Sequence, residues 1–101
     1  MNINHDASAG SLESCDIIVT LLPAQEGISI DLESSVKDQF GVRIEEEIRR
    51  TLDRLGVTAA QVRAQDQGAL DCTIKARTIA AVYRAADRQD VDWEEINSWI
   101  D

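Results

Sequence analysis

A serine set among small and acidic residues is the first feature that could take part in chemistry: Ala9-Gly10-Ser11-Leu12-Glu13-Ser14-Cys15-Asp16 runs directly into Ile17-Ile18-Val19-Thr20-Leu21-Leu22. Ser14 lies just ahead of an apolar run, in a segment with no apolar periodicity of its own. A serine becomes a nucleophile when a neighbouring base takes its proton. The only histidine in the chain is His5, in a polar leader that gives no reason to hold it against Ser14. Ser14 therefore reads as a residue that another enzyme modifies. Cys15 and Cys72 have no metal-ligand spacing, and two cysteines are too few for a disulfide framework. One histidine, no metal cluster and no phosphate-binding loop leave little for a self-sufficient enzyme.

The elements that must position Ser14 follow from periodicity. Residues 16–22 form a continuous run rich in β-branched residues, as expected of a strand central in its sheet or covered on both faces. Pro23 ends it and Gln25-Glu26-Gly27 supplies a turn. Ile28, Ile30 and Leu32 then alternate with Ser29, Asp31 and Glu33, which predicts a strand with one wet face, paired with the first as an antiparallel hairpin. Ser35 and Asp38 form a capping pair at a helix start. Val36, Phe40, Ile44, Ile48, Leu52 and Leu55 make one apolar stripe on that helix. Gly41 weakens its first turns, and Gly56 occupies the expected left-handed C-cap. Val62 and Ala64 mark a third strand, followed by an Asp66-Gln67-Gly68 turn. Residues 70–87 alternate briefly at Leu70, Cys72 and Ile74, but the run is too long for one strand, so a helix is expected with its first turn uncertain. This reading places Cys72 on an apolar face as a buried thiol. A short helix around Trp93 and Trp99, capped by Asp92, closes the chain; its tryptophans either pack on the core or anchor a partner.

The order β-β-α-β-α predicts an α+β fold: a small antiparallel or mixed three-stranded sheet with both long helices on one face. A right-handed crossover makes the second and third strands parallel, with the first, the most apolar, between them. Three regions are expected: a mobile arm over residues 1–15 carrying Ser14, a compact domain over 16–88, and an acidic tail over 89–101.

At 101 residues with 44% hydrophobic and 29% charged composition, the chain reads as one soluble domain. No run approaches the ~18 apolar residues of a membrane span. The start of the chain has no basic, hydrophobic leader, so a cytoplasmic protein with reduced thiols is expected. Net charge is −9. Residues 1–36 hold six acids and residues 90–101 five, neither with any Lys or Arg, while all ten basic residues lie between. Such a surface repels phosphate backbones and argues against nucleic-acid binding. It suits basic protein surfaces, where charge speeds encounter and sets orientation.

AGSLES followed by an acidic residue and a β-run resembles the prosthetic-group site of the acyl carrier (gamma) subunit of citrate lyase. ESSVKDQFG and DQGALDC…KAR resemble later landmarks of the same family, in the same order, so that the likeness spans about Ile3 to Arg88. The resemblance implies a non-catalytic carrier whose Ser14 bears a phosphodiester-linked 2′-(5″-phosphoribosyl)-3′-dephospho-CoA ending in a thiol. It also implies three partners: an alpha subunit that exchanges acetyl for citrate on the thiol (acyl transferase), a beta subunit that cleaves the citryl thioester to oxaloacetate (citryl lyase), and the transferase that loads the group. Glu13 and Asp16, which flank the serine, are either ordinary surface charge or recognition points for that transferase. Cys15 departs from the Gly or Ser often found in the family, and it places a thiol beside the attachment point. Asp66, Gly68 and Asp71 match a landmark that a turn and a helix start explain without chemistry. The carrier subunit of a biotin-independent malonate decarboxylase, which uses the same kind of group, is the neighbouring alternative. An acidic interaction module without a covalent cofactor is the third.

Overall fold

The computed structural model describes residues 1–34 and 37–88. Its elements are β1 (Ala7–Gly10), β2 (Ile17–Leu22), β3 (Gly27–Ser34), α1 (Lys37–Arg54), β4 (Ala59–Asp66) and α2 (Asp71–Ala85). The four strands form one mixed sheet in the order β1-β2-β4-β3. β2 runs antiparallel to both of its neighbours, whereas β3 and β4 are parallel.

The fold class is α+β as expected, with one more strand and a different strand order. The extra strand comes from the segment read as an arm. Ala7 to Gly10 pair with Leu21 to Ile18, and Ala9 is buried on the core face. Its four residues contain two alanines, a serine and a glycine, so they carry too little apolar contrast to show a period of two. The backbone N–H of Asn4 also donates to the Ala85 carbonyl at 2.9 Å, fixing the lead-in to the end of α2.

The expected hairpin is absent. β4 inserts between β2 and β3, so the short loop at Pro23 joins strands that are not neighbours. The parallel β3–α1–β4 unit does occur, with β3 and β4 directly paired from Gly27↔Ala59 to Ser34↔Asp66. β4 has a weak hydrophobic pattern because its core face is Ala60, Val62, Ala64 and Asp66. The helices lie over the flanking strands, α2 over β1 and β2, and α1 over β3. β2 is interior, as its composition indicated, but its outer residues Ile18, Thr20 and Leu22 are only half-buried.

Both helices cover the same face of the sheet. On α1 the buried stripe is Ile44, Ile48 and Leu52, continued by Leu55 just past its end, and α2 contributes Ile74, Thr78, Ile79, Ala81, Val82 and Ala85. Ile17, Val19, Leu21 and Val62 meet them from the sheet with no exposed surface. The two helices are also tied by Glu47, whose carboxylate lies 3.1 Å from Arg50 and 3.8 Å from Lys75.

Gly56 terminates α1 as its sequence position suggested. With φ at +72°, it lets its own N–H reach the Asp53 carbonyl at 3.0 Å and the Val57 N–H reach Leu52 at 3.0 Å. That pair of bonds is the Schellman closure, which satisfies carbonyls otherwise left open at a helix end. At the other end, α1 is already helical through Gly41. Phe40, expected on the buried stripe, is 46% exposed. α2 starts at Asp71 with Leu70 as its N-cap, and Leu70 is 69% exposed. Cys72 is exposed too, because helical phase turns the first turn of α2 away from the sheet that receives Ile74. The buried-thiol reading is thereby corrected. Ser35, Val36, Trp93, Trp99 and the whole acidic tail lie outside the described residues.

Candidate functional site

Ser14 sits at the sheet end where β2 begins and where β3 and β4 finish. Glu13 to Asp16 form a tight turn, closed by the Asp16 N–H donating to the Glu13 carbonyl at 3.1 Å. Ser14 and Cys15 are its central residues, and both are exposed. Cys15 has φ at +67°. A positive φ at the third turn position is the geometry that favours glycine there.

The turn is clamped from three sides. The Cys15 N–H donates to the Gln67 carbonyl at 2.7 Å, and the Gln67 N–H donates to the Asp16 carbonyl at 2.8 Å. These two bonds extend the β2–β4 ladder beyond its last strand pair, Ile17↔Asp66. Asp16 then supplies the side-chain anchor. Its Oδ1 accepts from the Ile17 N–H at 2.7 Å and from Arg77 Nε at 3.0 Å. Its Oδ2 accepts from the Ser11 hydroxyl at 2.7 Å and from Arg77 Nη2 at 3.0 Å. The two-pronged Arg77 contact is the main reason the Asp16 carboxyl is held well below the usual carboxylate range, with the Ser11 hydroxyl and the Ile17 amide adding to it. The same contact raises the Arg77 pKa.

The facing loop is built in the same way. Asp66 is buried, and its carboxylate accepts from the Ser34 hydroxyl at 2.8 Å and from the Gly68 and Ala69 amides at 3.0 Å each. This fixes Gln67, and with it the bond that holds Cys15. Asp66 and Gly68 thus shape the loop that braces the turn, consistent with their reading as structural residues.

Ser14 itself is nearly free of contacts among the described residues. The contact its hydroxyl makes is with Cys15 Sγ, at 3.8 Å. His5 is engaged elsewhere, with Nε2 at 2.7 Å from Asp87 and Nδ1 at 2.9 Å from the Asp6 carbonyl. No group of three or more His, Cys, Asp or Glu capable of holding a metal occurs among the described residues. The arrangement presents a hydroxyl on a braced turn, with no base hydrogen-bonded to it among the described residues.

The sequence marked Ser14, Glu13 and Asp16 as one group, and the structure separates their surroundings. Glu13 is exposed, while Asp16 is turned inward as the hub of the clamp, its side chain only 13% exposed. Arg77, Ser11 and Gln67 were missed as supporting residues. Arg77 belongs to the KAR landmark, so its presence was visible, but its partner lies 61 residues away and spacing alone cannot reveal it.

The sequence is 60% identical to the citrate lyase acyl carrier protein of Lacticaseibacillus casei over 100 residues, covering 99% of both chains. The chain belongs to the citrate lyase acyl carrier protein family. A relative of the same name from Streptococcus uberis is also 60% identical, over 98% of each chain. A family of acyl carriers described as malonate decarboxylase delta subunit (MdcD) matches residues 4–85. Among solved structures, a chain of the Pseudomonas malonate decarboxylase hetero-tetramer shares the fold, with TM-score 0.70 and 27% identity over 82% of this chain and 86% of that one. As a member of the citrate lyase acyl carrier family, this is a carrier and not a catalytic subunit. Acyl carriers work through a prosthetic group, and an exposed serine on a braced turn has the steric freedom to bear one.

Proposed function

We propose that Ser14 is the attachment site of 2′-(5″-phosphoribosyl)-3′-dephospho-CoA, and that the chain carries acetyl and citryl groups for a citrate lyase in the cytoplasm. The observation that supports it most is the setting of Ser14: exposed, three residues before a core strand, and in a turn clamped by groups other than its own hydroxyl. The Asp16 carboxylate near the turn is already paired with Arg77, which offsets its repulsion of a phosphodiester at Ser14. When bound, the group supplies a terminal thiol whose thioester activates the acyl carbonyl and acidifies the adjacent C–H.

The chain's own residues mount the group and present it. The Cys15–Gln67 and Asp16–Arg77 contacts hold the turn at the end of the sheet, and tethering there raises the acyl group's effective concentration at partner active sites. The partners in this reading are the alpha (acyl transferase) and beta (citryl lyase) subunits and the prosthetic-group transferase. No helix among the described residues is long and apolar enough to cross a bilayer. The malonate decarboxylase reading draws on the family description and the Pseudomonas structure, but 60% identity over the whole chain favours citrate. Ser14→Ala tests the reading. The variant should assemble with the alpha and beta subunits yet give a complex inactive in citrate cleavage, and an active complex would refute it.

A further inference from the structure

A groove of about 510 Å³ opens between the first turns of α1 and α2. Phe40, Leu70, Cys72 and Ile74 line it, and Arg43 and Asp71 meet across it at 2.6 Å. Phe40 and Leu70 leave large apolar surfaces in water here, 46% and 69% exposed. The volume falls in the ~300–1,000 Å³ range of small-molecule sites. The groove also reaches the loop that braces the serine turn. Its lining begins at Gly68, and the residue before, Gln67, holds the Cys15 N–H at 2.7 Å.

We infer that this groove holds the amide-bearing, thiol-ended arm of the carrier's own prosthetic group whenever no partner subunit is engaged. The inference rests on Ser14 as the attachment site. The chemistry matches on both counts. Methyl and methylene groups of such an arm suit Phe40, Leu70 and Ile74, while its amide N–H and C=O groups suit the Asp71 carboxylate and the Arg43 guanidinium. A tethered ligand reaches such a site at high effective concentration, so weak contacts suffice. Seating the arm there shelters the thioester from water between turnovers.

The test uses the full-length ¹⁵N-labelled chain, unloaded and loaded by the prosthetic-group transferase, with intact mass and peptide mapping establishing loading at Ser14. Loading should shift the amides of Phe40, Leu70, Cys72 and Ile74 as well as those of residues 11–17. Leu70→Ser, at an exposed position, should abolish the groove shifts while leaving loading and the shifts at 11–17 intact. Oxidised glutathione gives a second readout on loaded Cys15→Ser protein. The arm thiol and the Cys72 thiol should join in a disulfide, losing two hydrogens as one oxidised glutathione is reduced to two thiols, and Leu70→Ser should slow that closure several-fold. Fully loaded protein whose shifts stop at 11–17 and the 67–68 loop overturns the inference. So does a groove that responds only when a catalytic subunit is added, which makes it a protein-docking surface. Protein that gains no mass at Ser14 overturns the attachment reading first, and the groove inference with it.

Discussion

Asp16 is the residue on which the serine turn depends. Four hydrogen bonds converge on its carboxylate, two of them from Arg77. Because its folded pKa is depressed below the unfolded value of about 3.9, its contribution to stability is complete above that pH. It is lost as pH falls through the folded value. Asp16→Asn should therefore be less stable than the parent at pH 7, and the gap should narrow as pH drops below about 4. Urea unfolding of both proteins between pH 7 and pH 2 checks this; a gap that stays constant with pH contradicts it. Cys15 makes a second demand, through its backbone. At φ +67° any Cβ is strained by about 1–2 kcal/mol, and a β-branched side chain by more. Cys15→Val should therefore lower stability, whereas Cys15→Gly should be close to neutral, because lost strain offsets the added freedom of the unfolded chain. Denaturant midpoints of the two variants decide it.

At the scale of elements, the short strand β1 is the piece most easily detached. A Cβ at Gly10 would lie 1.8 Å from the Ile17 carbonyl oxygen, and Gly10 has φ at +106°. Gly10→Ala must therefore push the chain off β2 immediately before the serine turn. Amide exchange at residues 7–10 should speed up markedly in the variant while β4 stays protected, and unchanged protection would show that β1 tolerates the shift. The elements themselves were legible where one face is strongly apolar. α1 follows from the spacing of Ile44, Ile48, Leu52 and Leu55, and β3 from its strict alternation. Pairing was less legible, because alternation reports which face is buried and says nothing of which strand lies alongside. Pro23 and Gly27 bound a short loop, which suggested a hairpin. The actual neighbour of β2 is β4, whose alanine-rich core face carries a weak signal. Cys72 and Leu70 were misplaced for a related reason. Alternation over 70–74 mimics a strand, and only the start of α2 at Asp71 fixes the phase that exposes them.

For the whole molecule, the governing features are an acidic charge of −9 and an exposed serine turn at one end of the sheet, the proposed attachment site. Charge of this size steers a small protein toward basic partner surfaces, and salt weakens it as the Debye length shrinks from about 10 Å at 0.1 M to about 3 Å at 1 M. Association with the catalytic subunits should slow clearly with ionic strength while dissociation changes little. Stopped-flow binding at two salt concentrations tests this, and a salt-independent on-rate contradicts it. In the proposed function the carrier role rests on a single hydroxyl, that of Ser14. The sequence marked Ser14 through AGSLES, while the clamp around its turn was not legible, since Arg77 and Gln67 reach it from elements far along the chain. The most direct measurement is peptide mapping of protein produced together with its loading enzymes. The account predicts one added mass equal to the prosthetic group, confined to the peptide over residues 9–16 and assigned by fragmentation to Ser14. The same mass on Ser11 or Ser34, or its persistence in Ser14→Ala, would contradict it.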